Sequence, residues 1–165
     1  MNIFRALINR ILFRKTRANR YFKKLNSIFE THNSGIDSIA AGALLTVLLN
    51  LMKFVLFIDP VYRLNIKKFD AKYVFKDKSG KLYVTAEFKS NKLRVGRKQI
   101  RDPEFTLIFK DGKTLISMLF SESLDILDSI LNQDVNFEGN INYLNKFAYM
   151  AVRLKLMATG KVPKK

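Results

Sequence analysis

Hydrophobic positions recur along the chain with three different periods. Near its start, Ile3/Phe4, Leu7/Ile8 and Ile11/Leu12 return at three- and four-residue spacing, which predicts one apolar face of a helix. Residues 39–58, IAAGALLTVLLNLMKFVLFI, are apolar almost throughout. As a helix this run is about 30 Å long, the thickness of a bilayer core. Ser38, Gly42, Thr46, Asn50 and Lys53 are spaced so that its small and polar groups share one stripe. Asp59-Pro60 ends it, because the residue before a proline is driven out of the helical region.

Beyond Pro60 the period shortens to two. Phe69, Ala71, Tyr73 and Phe75 alternate with Lys72, Val74 and Lys76, and the turn 77–80 (DKSG) leads into Leu82, Val84, Ala86 and Phe88. Ser90-Asn91 is a second turn, followed by Leu93 and Val95; after Asp102-Pro103 the alternation resumes at Phe105, Leu107 and Phe109. The pattern predicts an antiparallel meander with one apolar and one basic face. Helices are expected over 113–120 and from Ser123 to Leu131, a last strand over 135–138, and a closing helix marked by Ile141, Leu144, Phe147, Ala148, Ala151, Leu154 and Met157. The basic tail 159–165 is expected to be mobile.

Composition narrows what such a chain can do. Its 165 residues suffice for one domain with a true core, and 48% apolar content is not that of a disordered chain. With no cysteine and a single histidine, His32, it has neither a disulfide framework nor the makings of a thiolate site, a histidine metal cluster or a Ser-His-Asp system. No metal, cofactor or catalytic residue is expected, and the chain reads as a non-enzyme. The formal charge of +16 attracts polyanions, of which nucleic acid and anionic headgroups are the common ones.

The basic residues are distributed unevenly. Residues 1–29 contain no acid and eight bases, Arg5, Arg10, Arg14, Lys15, Arg17, Arg20, Lys23 and Lys24. A basic helix with an apolar face suits the interface of an anionic membrane, with Phe4, Leu7, Ile8 and Ile11 in the lipid and Arg5, Arg10, Arg14 and Lys15 at the headgroups. The alternative is a helix docked on its own domain with a solvated basic side. For 39–58, a helix buried in the domain or facing a membrane competes with one that spans it; Lys53 inside the run opposes spanning. A second basic cluster, Lys89, Lys92, Arg94, Arg97, Lys98 and Arg101, has no aromatic residue among it. Nucleic-acid binding would want bases stacked on rings there, so a lipid surface is the better partner. Charge also blocks pairing at a sheet edge, the plain structural explanation. Three acidic positions, Glu122, Asp125 and Asp128, share a helical face and read as solvated near a helix start, while Asp102 and Glu104 read as turn residues.

The order of helix, four strands, two helices, strand and helix resembles the sterol carrier protein type-2 domain. The likeness runs from Arg63 to Met157 and is carried by IKKFDAKYVFKDKSGKLYVTAEFK (66–89), DPEFTLIFKDGKTLISML (102–119) and VNFEGNINYLNKF (135–147). It departs at KLRVGRKQ (92–99), more basic than a usual third strand, and in a long hydrophobic start. The resemblance implies an α+β fold, a five-stranded, mostly antiparallel sheet covered by helices on one face, preceded here by two N-terminal helices. It divides the chain into a segment 1–60 with a basic amphipathic and a hydrophobic helix, a lipid-binding domain 61–158, and the tail. It also implies an apolar cavity for a fatty acyl, sterol-like or isoprenoid ligand, where the residues alone equally allow a membrane-anchored structural protein with a filled core. Within it the expected lining is Phe105, Leu107 and Phe109 from the fourth strand; Leu115, Met118, Leu119 and Leu127 from the helices that follow; and Phe137, Leu144, Phe147 and Met150. The expected protein is cytoplasmic and peripherally attached to membranes; its protein partner is left open.

Overall fold

The computed structural model describes residues 38–120 and 126–159. Helix α1 (Ser38–Ile58) is followed by the single turn α2 (Pro60–Arg63) and a 3₁₀ turn (Leu64–Ile66). Strands β1 (Ala71–Asp77), β2 (Tyr83–Lys89), β3 (Lys92–Gly96) and β4 (Phe105–Phe109) come next. Helices α3 (Gly112–Phe120) and α4 (Ile126–Leu131), strand β5 (Val135–Gly139) and helix α5 (Ile141–Thr159) complete the chain. Two compact units divide it, one running from Ile36 to Phe147 and another that holds 148–159. The whole sheet and α1 belong to the first.

The sheet is five-stranded in the order β3-β2-β1-β4-β5. The expected four-strand meander is corrected here. β1, β2 and β3 are antiparallel neighbours, but β4 passes β3 and pairs parallel to β1 on its other side, with β5 antiparallel beyond it. A parallel neighbour needs a long connection, and β2, β3 and the loop 97–104 supply it. Glu104 fixes the end of the crossing: its Oε2 accepts the Lys72 backbone N–H at 2.6 Å, one residue before β4. Glu104 therefore joins two strands as well as flanking a proline turn.

Turn chemistry agrees with the residues at each corner. Ser90 and Asn91 both have positive φ (51° and 59°), as a two-residue hairpin requires when its twist must match that of its strands. Asp59 caps α2 with its side chain while Pro60 occupies the first turn, so one dipeptide ends α1 and starts α2. Gly139, at the end of β5, has φ +108°, and a Cβ there would stand 2.3 Å from the Glu104 carbonyl oxygen. Only glycine fits that approach.

The register puts Tyr73, Phe75, Val84, Ala86, Phe88, Leu93, Phe105, Leu107, Phe109, Val135 and Phe137 on one face. Helix α1 packs on that face through Ala41, Gly42, Leu45, Leu49, Met52, Val55 and Leu56; a Cβ on Gly42 would already touch Leu82 and Val84. The first turn of α3 meets the first turn of α1, where Gly112 lies too close to Ser38 and Ala41 for any side chain. Lys72, Lys76, Tyr83, Glu87, Arg94 and Ile108 occupy the opposite face, each partly or fully exposed, and shelter Val74, Thr85 and Thr106.

The start of α1 is tied to the β1–β2 hairpin by Asp77. Although buried, its carboxylate accepts the Leu82 N–H at 3.0 Å, the Ser79 hydroxyl at 2.6 Å and the Ser38 side chain. Burial alone would push its pKa up, but these bonds outweigh it and hold it below the ordinary 3.8. A carboxylate with a depressed folded pKa stabilises the fold above its unfolded pKa and loses that effect as pH falls through the folded value. Asp77→Ala is expected to cost roughly 1–3 kcal/mol at neutral pH in a denaturant titration. The gap between variant and parent should narrow as the pH is taken below about 4; a gap unchanged down to pH 2 would show that the charge is not what matters.

Candidate functional site

A hydrophobic chamber between sheet and helices can only be built where the inward positions of several strands converge. Here that place is an aromatic cluster on the central strands. Tyr73 stands in its middle, with ring centroids 5.3 Å from Phe147, 5.7 Å from Phe88 and 6.1 Å from Phe105. Phe75 lies 5.1 Å from Phe147, Phe105 stacks on Phe137 at 5.7 Å, and Phe69 approaches Phe88 and Tyr143. Offset and edge-on rings at these separations add about 0.5–1.5 kcal/mol per pair to the burial of their area.

The one polar group at the centre is satisfied. The Tyr73 hydroxyl donates to the Tyr143 carbonyl at 2.9 Å, tying the central strand to the first turn of α5. Burial pushes the phenol's pKa far up, and the nearby Tyr143 and Glu104 push it the same way. Tyr73 is therefore a fixed neutral donor, unsuited to proton transfer near neutral pH.

Of the residues expected to line a cavity, Phe105, Leu107, Phe109 and Leu115 are fully buried, and Leu144 nearly so. Phe105, Leu107, Phe109 and Phe137 share the inner face of β4 and β5, and Phe147 closes over β1. Met118, Leu119, Phe137 and Phe147 remain partly exposed. Met150 is buried in the other unit, and the Leu127 side chain lies outside the described residues. The membrane-facing set Phe4, Arg5, Leu7, Ile8, Arg10, Ile11, Arg14 and Lys15 also lies outside them, as do His32, Glu122 and Asp125. Sequence reasoning left Tyr73, Phe75, Phe88, Phe69 and Tyr143 out of the candidate site. The alternation from Phe69 to Phe75 carries that signal, but only the pairing of β4 with β1 brings these rings together with those of β4.

The basic cluster maps to one sheet edge. Lys89, Lys92 and Arg94 lie on the β2–β3 hairpin, and Arg97, Lys98 and Arg101 on the loop after it; all six are exposed. Arg94 approaches Glu87 at 3.8 Å, and Arg97 reaches the Thr46 hydroxyl of α1 at 3.4 Å. Charge on an outer strand opposes sheet extension, whatever else it does. Among the described residues, no group of three or more His, Asp or Glu side chains is placed to hold a metal ion.

Tyr73→Phe separates the hydrogen bond from the ring packing. It should lower stability by about 0.5–1.5 kcal/mol, whereas Tyr73→Ala should cost about 3–5 kcal/mol through the void it leaves. Equilibrium unfolding in urea measures both, and equal losses would mean that the ring contributes little.

No family model matches the chain, and no curated protein matches it. Solved structures do. One described as "UbiJ-SCP2 Ubiquinone synthesis protein" superposes with a TM-score of 0.52 at 16% identity, covering 68% of this chain and 96% of its own. The solution structure of the sterol carrier protein domain 2 of Helicoverpa armigera gives a TM-score of 0.51 at 16% identity, covering 71% and 89%. At such identities the likeness is one of fold. The five-stranded sheet, the helices on its apolar face and their order in the chain are those of a sterol carrier protein type-2 domain.

Proposed function

We propose that this protein binds and presents a lipid with a long apolar chain, of fatty acyl, sterol-like or isoprenoid type, at an anionic membrane surface, without chemical turnover. The observation that carries the reading is the continuous apolar sheet face, whose inner residues come from all five strands and whose outermost members stay partly open. Phe137 and Phe147, with Met118 and Leu119 on α3, are the partly exposed members of the expected lining. Unbranched methionine accommodates chains of differing shape. Two structural relatives are described as a ubiquinone synthesis protein and a sterol carrier protein domain, which favours an isoprenoid or sterol-like ligand over a polar one.

A second reading draws on the ring contacts around Tyr73. Centroids 5–6 Å apart leave that half of the face packed, which suits a membrane-attached domain with a solid interior. Under the first reading the ligand lies beside the cluster, toward β4, β5 and α3. The basic N-terminal stretch 1–29 would add headgroup attraction in either case.

Native mass spectrometry of the purified protein, with organic extraction and a fluorescent polyene fatty acid as probe, separates the two. Co-purifying lipid and saturable probe uptake are expected, and under this reading Met118→Trp, a bulkier ring at an expected lining position, should weaken uptake about tenfold. Absence of both lipid and uptake favours the solid interior. A mobility shift with nucleic acid, unmatched by binding to anionic vesicles, would favour a nucleic-acid partner instead.

A further inference from the structure

The corner between α1 and α2 is oddly built for a surface exposed to water. Phe57 is 76% exposed and Leu64 63%, and Phe54 and Val61 stand open beside them. Four large apolar side chains at one corner form a patch of the kind that marks an interaction site.

The backbone of the same corner needs little from solvent. A helix end normally leaves several carbonyls for water to satisfy. Here the Asp59 N–H donates to the Val55 carbonyl at 2.9 Å, and the Arg63 guanidinium reaches back to the carbonyls of Leu56, at 2.7 Å, and Phe57. The Asp59 carboxylate accepts the N–H groups of Val61 and Tyr62, at 2.8 and 3.0 Å. Its carbonyl accepts the Arg63 N–H, and the Tyr62 carbonyl is taken by the Leu64 N–H and the Asn65 side chain. Apolar side chains pointing outward over a backbone whose carbonyls at Val55, Leu56, Phe57, Asp59 and Tyr62 are bonded within the protein suit hydrocarbon, since it offers no hydrogen bonds in return. Water demands neither.

Charge selects the kind of surface. Between Ser38 and Phe69 the only acid is Asp59, which serves as the cap just described, while Lys53, Arg63, Lys67 and Lys68 are all exposed. Cations ringing a small apolar tip match the anionic headgroups over an acyl layer. The opposite side of α1 is occupied by the sheet, so the helix has one face to give. Length and hydropathy alone would let α1 cross a bilayer, but a spanning helix could not keep this packing.

From these observations we infer that the α1–α2 corner is a wedge that inserts into the outer acyl layer of an anionic bilayer, with Phe54, Phe57, Val61 and Leu64 as its tip and α1 lying along the surface. This rests on the membrane half of the proposed function and is independent of lipid uptake.

The chain has no tryptophan, so a single introduced one reports its own surroundings. Phe57→Trp and Leu64→Trp in the full chain should shift their emission to the blue on addition of phosphatidylglycerol-containing vesicles, and acyl-brominated lipid should quench them. Lys81→Trp in the β1–β2 turn should do neither. The double variant Phe57→Ser/Leu64→Ser should lose about tenfold in vesicle partitioning, with circular dichroism and fatty-acid uptake unchanged. Reporters that stay silent while the protein floats with the vesicles would overturn the wedge and move the contact to another segment, such as 1–29. A blue shift that needs no vesicles and grows with protein concentration would also overturn it, in favour of a second copy covering the corner. Insertion without fatty-acid uptake would sink the carrier reading and leave the wedge standing.

Discussion

Tyr73 ties the central strands of the sheet to the first turns of α5. Its strand pairs with β2 on one side and β4 on the other, its ring meets Phe88, Phe105 and Phe147, and its hydroxyl is bonded to the first turn of α5. Burying that one sheet face is the constraint on which the rest depends. The face is wide enough only because β4 lies beside β1, so the crossing held by Glu104 and the close approach at Gly139 are conditions of the core as much as of the topology. Helix α1 then closes one flank, and its buried stripe is long because the sheet it covers is long.

The same constraint divides the apolar residues into two populations with different consequences. Those turned inward from the strands are matched by rings, aliphatic side chains and helices, and lose their water to one another. Those on the outer side of α1 and on α2 have no such match in the first unit. Their backbone is nevertheless satisfied by Asp59 and Arg63, two residues whose side chains are spent on main-chain groups. A polar side chain used this way is no ornament of the surface, because it lets an apolar corner leave water without stranding its carbonyls.

A third region carries a concentrated share of the basic residues. The outer edge of β3 and the loop after it carry an exposed row of cations, only partly offset by Glu87. At an edge strand this charge keeps sheets of neighbouring molecules apart. It also stands near α1 through Arg97 and Thr46, so the positive field extends from the sheet edge toward the helix whose outer face is apolar. Exposed positive charge and an exposed apolar corner thus belong to one unit, and charge acts at a distance where apolar burial acts only on contact.

Much of this was legible from the residues alone. Alternation from Phe69 to Phe88 and from Phe105 to Phe109 announced strands, three- and four-residue spacing announced helices, and Asp59-Pro60 and Ser90-Asn91 announced the corners. These signals are local, since each depends on the dihedral preferences of neighbouring residues and on a period of 2 or 3.6. What they do not carry is which strand lies beside which. A parallel β1–β4 pair and an antiparallel meander show the same alternation, and only the tertiary structure decided between them, by closing the connection 78–104 around β2 and β3. That choice made Tyr73 and Phe75 neighbours of Phe105 and Phe147. Nor could the residues alone say which face of 39–58 would be buried, because nearly every position in that run is apolar. The sheet took the stripe that fitted its surface, and Phe54 and Phe57 were left outside.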